Sequence, residues 1–155
     1  MKEITNLLKL TPEQLMYGTL KYLGFEIYDC GDHDENSPHC WPGNAKVTEL
    51  SRDKAIIIIS LTGEIHMETS SGSSPVLMST IIGTHLKQIV GWGGRFNITA
   101  GKHGDFLVQT VVDISEHEEV DCTIHGKDLN TTICFAFVQA RSKGKLLVPD
   151  VLVKE

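Results

Sequence analysis

Apolar positions near the start of the chain recur at helical spacing. Met16, Leu20 and Leu23 follow Thr11-Pro12-Glu13-Gln14, where Thr11 is a capping residue, Pro12 suits the first helical position and Gln14 completes a capping box. Gly24 supplies a stop, so a short amphipathic helix is expected over residues 12–23. The period then shortens to that of strands. Phe25–Tyr28 reads as a brief strand and Ala45–Leu50 alternates as another. Ala55–Leu61 (AIIIISL) is a continuous β-branched run, the kind buried on both faces of a sheet. Glu64–Glu68 extends that sheet, and Thr69–Ser74 (TSSGSS) reads as a flexible connection.

Pro75–Val90 (PVLMSTIIGTHLKQIV) is the second expected helix, opened by Ser74-Pro75 and ended by Gly91-Trp92-Gly93-Gly94. Its apolar positions cover more than one face, with only small or weakly polar residues (Ser79, Thr80, Gly83, Thr84) between them. Such a helix should be enclosed by the rest of the protein. A strand is expected from Phe96, followed by three strand-length runs: Phe106–Ile114, Glu119–His125 and Thr132–Ala140. In the last, Ile133, Phe135 and Phe137 would occupy one face and Cys134, Ala136, Val138 and Ala140 the other. The small face is expected against something bulky, such as the helix.

Composition narrows the class. At 155 residues the chain is sized for a single domain, 1–155, with an N-terminal helix and a Cys/His loop over 1–44 and a core over 45–155. A hydrophobic fraction of 41% suffices for a packed interior. No apolar run approaches the roughly 18 residues a membrane span needs, and MKEITNLLKL is too polar for a secretory signal. The net charge of −6, with lysines and arginines scattered, disfavours nucleic acid. Without a signal segment the four cysteines are expected reduced, in a cytoplasmic protein.

Three stretches resemble one known superfamily. Gly43–Leu61 is similar to the opening strand pair of the hotdog fold. Phe96–Val112 resembles the segment in which a Phe-to-Gly-Asp pattern introduces the long strand. Cys134–Pro149 (CFAFVQARSKGKLLVP) resembles the closing strand and tail of acyl-CoA hydrolases. The resemblance, over roughly residues 43–150, implies an α+β architecture: a hotdog-like antiparallel sheet wrapped around a central apolar helix, here with an extra N-terminal helix. It also implies a homodimer that binds an acyl thioester. The chain departs from that family in opening its helix with Ser73-Ser74-Pro75 and in carrying no Asp or Glu in the helix body.

Three constellations bear chemistry. Thioester hydrolysis needs an oxyanion site and an activated water. Backbone amides near Val76 and Leu77, with Ser74, are the oxyanion candidates. Glu68 is the candidate base, and His66, on the same strand face, is a second candidate. Arg95, Lys102 and His103, borne on two Gly-containing turns, are candidates for gripping the ligand's phosphate or carboxylate end. Cys30, His33, His39 and Cys40 form a zinc-type ligand inventory within an acidic loop. No cofactor is expected apart from zinc at that loop. Three functional readings follow: an acyl-thioester-binding, hydrolysing protein; a non-catalytic small-ligand module, favoured by the missing helix carboxylate; and a metal-dependent α+β enzyme centred on the Cys/His loop.

Overall fold

The computed structural model describes residues 1–29, 55–69, 72–90, 95–115 and 118–153. These residues are α+β, with antiparallel-rich sheets, and divide into two compact units. The first comprises residues 1–3, 12–76 and 147–155, the second 4–11 and 77–146.

The first unit opens, after strand β1 (Lys2–Ile4), with helix α1 (Pro12–Tyr22). The expected stop forms as a Schellman motif. The amide of Gly24 donates to the Lys21 carbonyl and that of Phe25 to the Leu20 carbonyl, while Gly24 takes φ +89°. Leu15 and Leu20 are fully buried. The buried Gln14 amide donates to the Leu152 carbonyl at 2.9 Å, which ties the first turn of α1 to the C-terminal segment of the same unit.

The sheet of this unit has the order β2-β3-β4-β5, with β2 (Glu26–Asp29), β3 (Ile56–Ile59), β4 (Ile65–Thr69) and β5 (Gly72–Pro75). β3 is the isoleucine run, and Ile56, Ile57 and Ile59 are fully buried on its two faces. β2 and β3 pair in parallel, which a tight hairpin cannot make. The connection runs through residues 30–55. The Gly31–Asn44 loop and the Ala45–Leu50 strand expected there lie outside the described residues.

A tight turn joins β3 to β4. Ser60 donates its amide to Glu64 and accepts on its hydroxyl from the amides of Thr62 and Glu64. Gly63 takes φ +84°, and a Cβ there would lie 3.3 Å from the Val151 carbonyl oxygen. Two expectations are corrected in the next segment. Gly72–Pro75 is a strand paired to β4, not a flexible connection, and Pro75 ends that strand instead of opening a helix. An edge strand tolerates Pro because its outward side needs no donor. β1 also pairs with β9 (Leu146–Val148).

In the second unit, helix α2 (Met78–Val90) starts three residues later than expected. Leu77 accepts on its carbonyl from the amides of Thr80 and Ile81. The helix is not enclosed. Ile81, Ile82 and Ile89 are buried, but Ser79, Thr80, Gly83, Thr84, Lys87 and Gln88 are exposed and Leu86 is 41% exposed. The small residues between its apolar positions mark a solvent face.

Strands β6 (Arg95–Ala100), β7 (Phe106–Ser115) and β8 (Glu118–Gly126) form an antiparallel meander close to the expected bounds. The run expected as the closing strand, Thr132–Ala140, is instead the middle of helix α3 (Leu129–Ser142). Asp128 caps it, accepting from the amide of Thr131 at 2.9 Å and from its hydroxyl at 2.6 Å. Lys143 and Gly144 end it with φ of +54° and +85°. α3 lies across β7 and β8 and contacts α2. Ile133, Cys134, Ala136, Phe137 and Val138 are buried on it, so its large and small residues interleave around a helix.

Candidate functional site

The clearest cluster of polar chemistry among the described residues lies on one face of the β2–β5 sheet. Residues directly opposed in neighbouring strands share a face. One row runs Glu26, Ile56, Glu68, Ser73, and the next runs Tyr28, Ile58, His66, Pro75. The expectation that His66 and Glu68 share a face holds by this register. Ser73 lies opposite Glu68, whereas Ser74, opposite Met67, lies on the other face with Ile57 and Ile65.

β2 and β5 are the two edges of this sheet, with β3 and β4 between them. His66 and Glu68 are half-buried, Ser73 and Glu26 are exposed, and Ile56, between Glu26 and Glu68 in their row, is fully buried. The His66 Nε2 lies 3.4 Å from Glu64 Oε2, a long contact that orients the ring. The Tyr28 hydroxyl donates to Glu26 Oε1. Burial, then that hydrogen bond and then the Glu26 charge push the Tyr28 phenol up to about 12. Tyr28 therefore stays protonated at neutral pH, with its one proton held by Glu26. With strands roughly 4.8 Å apart, Tyr28 and His66 sit roughly 10 Å from each other across Ile58, a span a small ligand bridges.

The sequence pointed to His66 and Glu68 but missed Tyr28, Glu26 and Ser73. Alternation in Glu26–Asp29 was enough to put Glu26 and Tyr28 on one side of a strand. Nothing local shows which strand that side would neighbour.

The other candidates fare differently. The Val76 amide donates to the Ile65 carbonyl at 3.1 Å, closing the β4–β5 hairpin, so it is not an oxyanion donor. Leu77 stands just before α2, 60% exposed, in the second unit, whereas Glu68 and His66 belong to the first. His103 is exposed in a short 3-10 turn (Lys102–Gly104) with φ +67°. Arg95 opens β6, opposite Val111. The side chains of Arg95 and Lys102 are outside the described set, so no grip on a ligand is formed by described atoms. Cys30, His33, His39 and Cys40 lie outside the described residues, among which no group of three or more His, Cys, Asp or Glu is placed to hold a metal. No described helix is long and apolar enough to cross a membrane.

No protein-family model, no curated protein and no solved structure matches this chain.

Proposed function

We propose that this protein binds a small, hydrogen-bonding ligand on the polar face of the β2–β5 sheet, without turning it over. The observation that carries this reading is the register that brings Tyr28, His66, Glu68 and Ser73 to one face, in rows with Ile56 and Ile58. Those groups offer a phenol oxygen that can accept, an imidazole, a carboxylate acceptor and a hydroxyl, the few placed polar groups a binding site needs beside the half-buried Ile58. Glu26, Glu64 and Glu68 make the face acidic, which disfavours a polyphosphate and favours a neutral or amine-bearing molecule.

An acyl thioester remains the ligand class that the hotdog resemblance supplies, and its uncharged acyl end is the part this face suits. Hydrolysis is the second reading. What supports it is the half-buried pair of His66 and Glu68 on one strand, a base and a proton carrier in reach of the same water. What speaks against it is the engaged Val76 amide, which takes away one of the expected oxyanion donors.

A panel of acyl-CoAs and of neutral acyl N-acetylcysteamine thioesters separates the readings, with binding followed by calorimetry and thiol release by a thiol reagent. Binding of a neutral thioester without thiol release, weakened by Glu68→Ala and Tyr28→Phe, is the expected result. Thiol release lost in Glu68→Ala selects hydrolysis. Binding by no member of the panel, or binding indifferent to both substitutions, overturns the site.

A further inference from the structure

The seam between α2 and α3, both in the second unit, holds a pair of sulfur atoms. The Cys134 thiol donates to the Met78 thioether, with the two sulfurs 3.1 Å apart. Cys134 is 0% exposed on α3, whereas Met78, the first residue of α2, is half-buried. On either side of Met78 the chain is open to solvent, with Leu77, Ser79 and Thr80 all exposed. This thioether therefore stands between water at the start of α2 and a buried thiol of α3.

A second observation concerns what fastens α2. Its buried side chains are Ile81, Ile82 and Ile89, while Ser79, Thr80, Gly83, Thr84, Lys87 and Gln88 stand in solvent. Ile81 and Ile82 lie three and four residues after Met78, so Met78 carries the same face one turn further toward the helix start. A reduced thioether suits that place, being apolar and pliant. A sulfoxide does not, because it is polar and its oxygen needs a hydrogen bond. The group it would face is Cys134, a weak donor, and a polar oxygen buried without a good partner is costly. An oxidised side chain should therefore turn out to water, and the first turns of α2 lose their hold on α3.

We propose that Met78 is a peroxide-sensitive switch that sets how the first turns of α2 seat on α3. The co-reactant is hydrogen peroxide or an alkyl hydroperoxide. The thioether lone pair attacks the terminal peroxide oxygen, and the S–O bond forms as the O–O bond breaks. Sulfur gives up two electrons. The proton of the transferred hydroxyl passes to the departing oxygen, which leaves as water or an alcohol. Methionine sulfoxide reductases return the sulfoxide to the thioether, so the change is reversible. Met1, Met16 and Met67 all belong to the first unit, so within the second unit a methionine oxidation acts at Met78.

Hydrogen peroxide treatment of the full chain, followed by dithiothreitol to reverse sulfenic acids and disulfides, tests it. Peptide mapping by mass spectrometry should find Met78 oxidised about tenfold faster or more than the buried Met16. Hydrogen exchange should then show the amides of residues 81–86 exchanging about tenfold faster or more than in the untreated protein, and methionine sulfoxide reductases should reverse the rise. Met78→Leu keeps an apolar side chain of similar volume and removes the sulfur, so peroxide should leave its α2 exchange unchanged. Oxidation of Met78 no faster than that of Met16 overturns the proposal. So does a sulfoxide at Met78 with unaltered exchange in α2. A rise that persists in Met78→Leu also overturns it, because another group would then be the sensor.

Discussion

β3 and α3 are made of the same kinds of residue and take opposite conformations. Ile56–Ile59 is β-branched throughout, and the core of α3, Ile133–Val138 (ICFAFV), is aromatic, β-branched and small. Both are almost wholly buried. Intrinsic preference leans toward strand for each, because β-branched and aromatic residues lose side-chain freedom in a helix. What separates them is punctuation. The isoleucine run is cut off within five residues by Ser60 and the turn at Gly63, so a strand is all that fits. The other run has no breaker between Asp128 and Gly144, a cap at its start and a left-handed pair at its end. A preference of a few tenths of a kcal/mol per residue yields to that frame once the helix has a sheet to lie on.

The largest test removes the packing that holds the helix against its preference. Phe137 is 1% exposed on α3, the largest fully buried side chain among the described residues. Phe137→Ala should cost about 3–5 kcal/mol, transfer and cavity terms together. Ile57→Ala in β3 should cost about 2–5 kcal/mol. Chemical denaturation of both variants reads the difference. Near-equal losses mean that burial stabilises the two elements alike despite their different backbones. A Phe137→Ala cost under 1 kcal/mol would show that α3 does not rest on its buried face.

The next test concerns how closely the helix approaches the sheet. Gly126 ends β8, and a Cβ there would overlap Thr132 Oγ1 and lie 3.4 Å from the Thr132 Cβ. Thr132 is buried, and its hydroxyl donates to the Asp128 carbonyl at 2.6 Å, so turning it away gives up a hydrogen bond. Gly126→Ala should therefore cost about 1–3 kcal/mol. The double variant with Thr132→Ala should recover part of that loss. No recovery would place the conflict elsewhere.

These elements also mark how far the sequence could be read. α1 was legible to within a residue because its signals are local: Pro12 at the first position and Gly24 past the last. β2, β3, β6, β7 and β8 were legible for the same reason, each a short run bounded by turn residues. α3 was misread because alternation of large and small residues over 132–140 fits a strand and a helix equally, and length was the better arbiter. Asp128 and the Lys143-Gly144 pair were the signals that could have decided it. The enclosed-helix expectation failed differently, since Ser, Thr and Gly at small positions mark a solvent face as readily as a packed one. Of the candidate site, the His66–Glu68 pair was legible because strand alternation is local. Its neighbours Tyr28 and Ser73 were not, because pairing between strands distant in sequence leaves no local trace.

A smaller effect sits at the start of the helix. The Thr131 hydroxyl and amide hold the Asp128 carboxyl below its ordinary value, and slight burial opposes them. Asp128→Ala should cost about 1 kcal/mol near neutral pH, the usual worth of such a cap. The acid side gives a sharper reading. A carboxyl with a depressed folded value binds its proton less readily folded than unfolded. Its contribution is then present above the ordinary carboxyl range and is lost as pH falls through the folded value. Asp128→Asn keeps a capping oxygen without a charge, so its stability should fall less steeply with acid than that of the wild type. Parallel acid curves for the two proteins would show that the cap does not titrate with folding.

The smallest effect lies beside β3, where β2 brings Tyr28 to the polar face. Its phenol titrates near 12, with burial the leading cause and the Glu26 hydrogen bond second. An unfolded tyrosine releases its proton near pH 10, so between about 10 and 12 the folded chain holds the extra proton. Stability contributed by this group is complete below pH 10 and declines as pH rises through that window. Glu26→Gln keeps an acceptor but removes the charge, and the phenol should move part of the way back toward 10, because the burial remains. Ultraviolet titration of phenolate, with Tyr28→Phe subtracted to remove Tyr17 and Tyr22, follows the group directly. A full return to the ordinary value in Glu26→Gln would mean that the carboxylate alone sets the shift. The face around β3 would then be wetter than its half-buried His66 and Glu68 imply, and a poorer floor for a ligand.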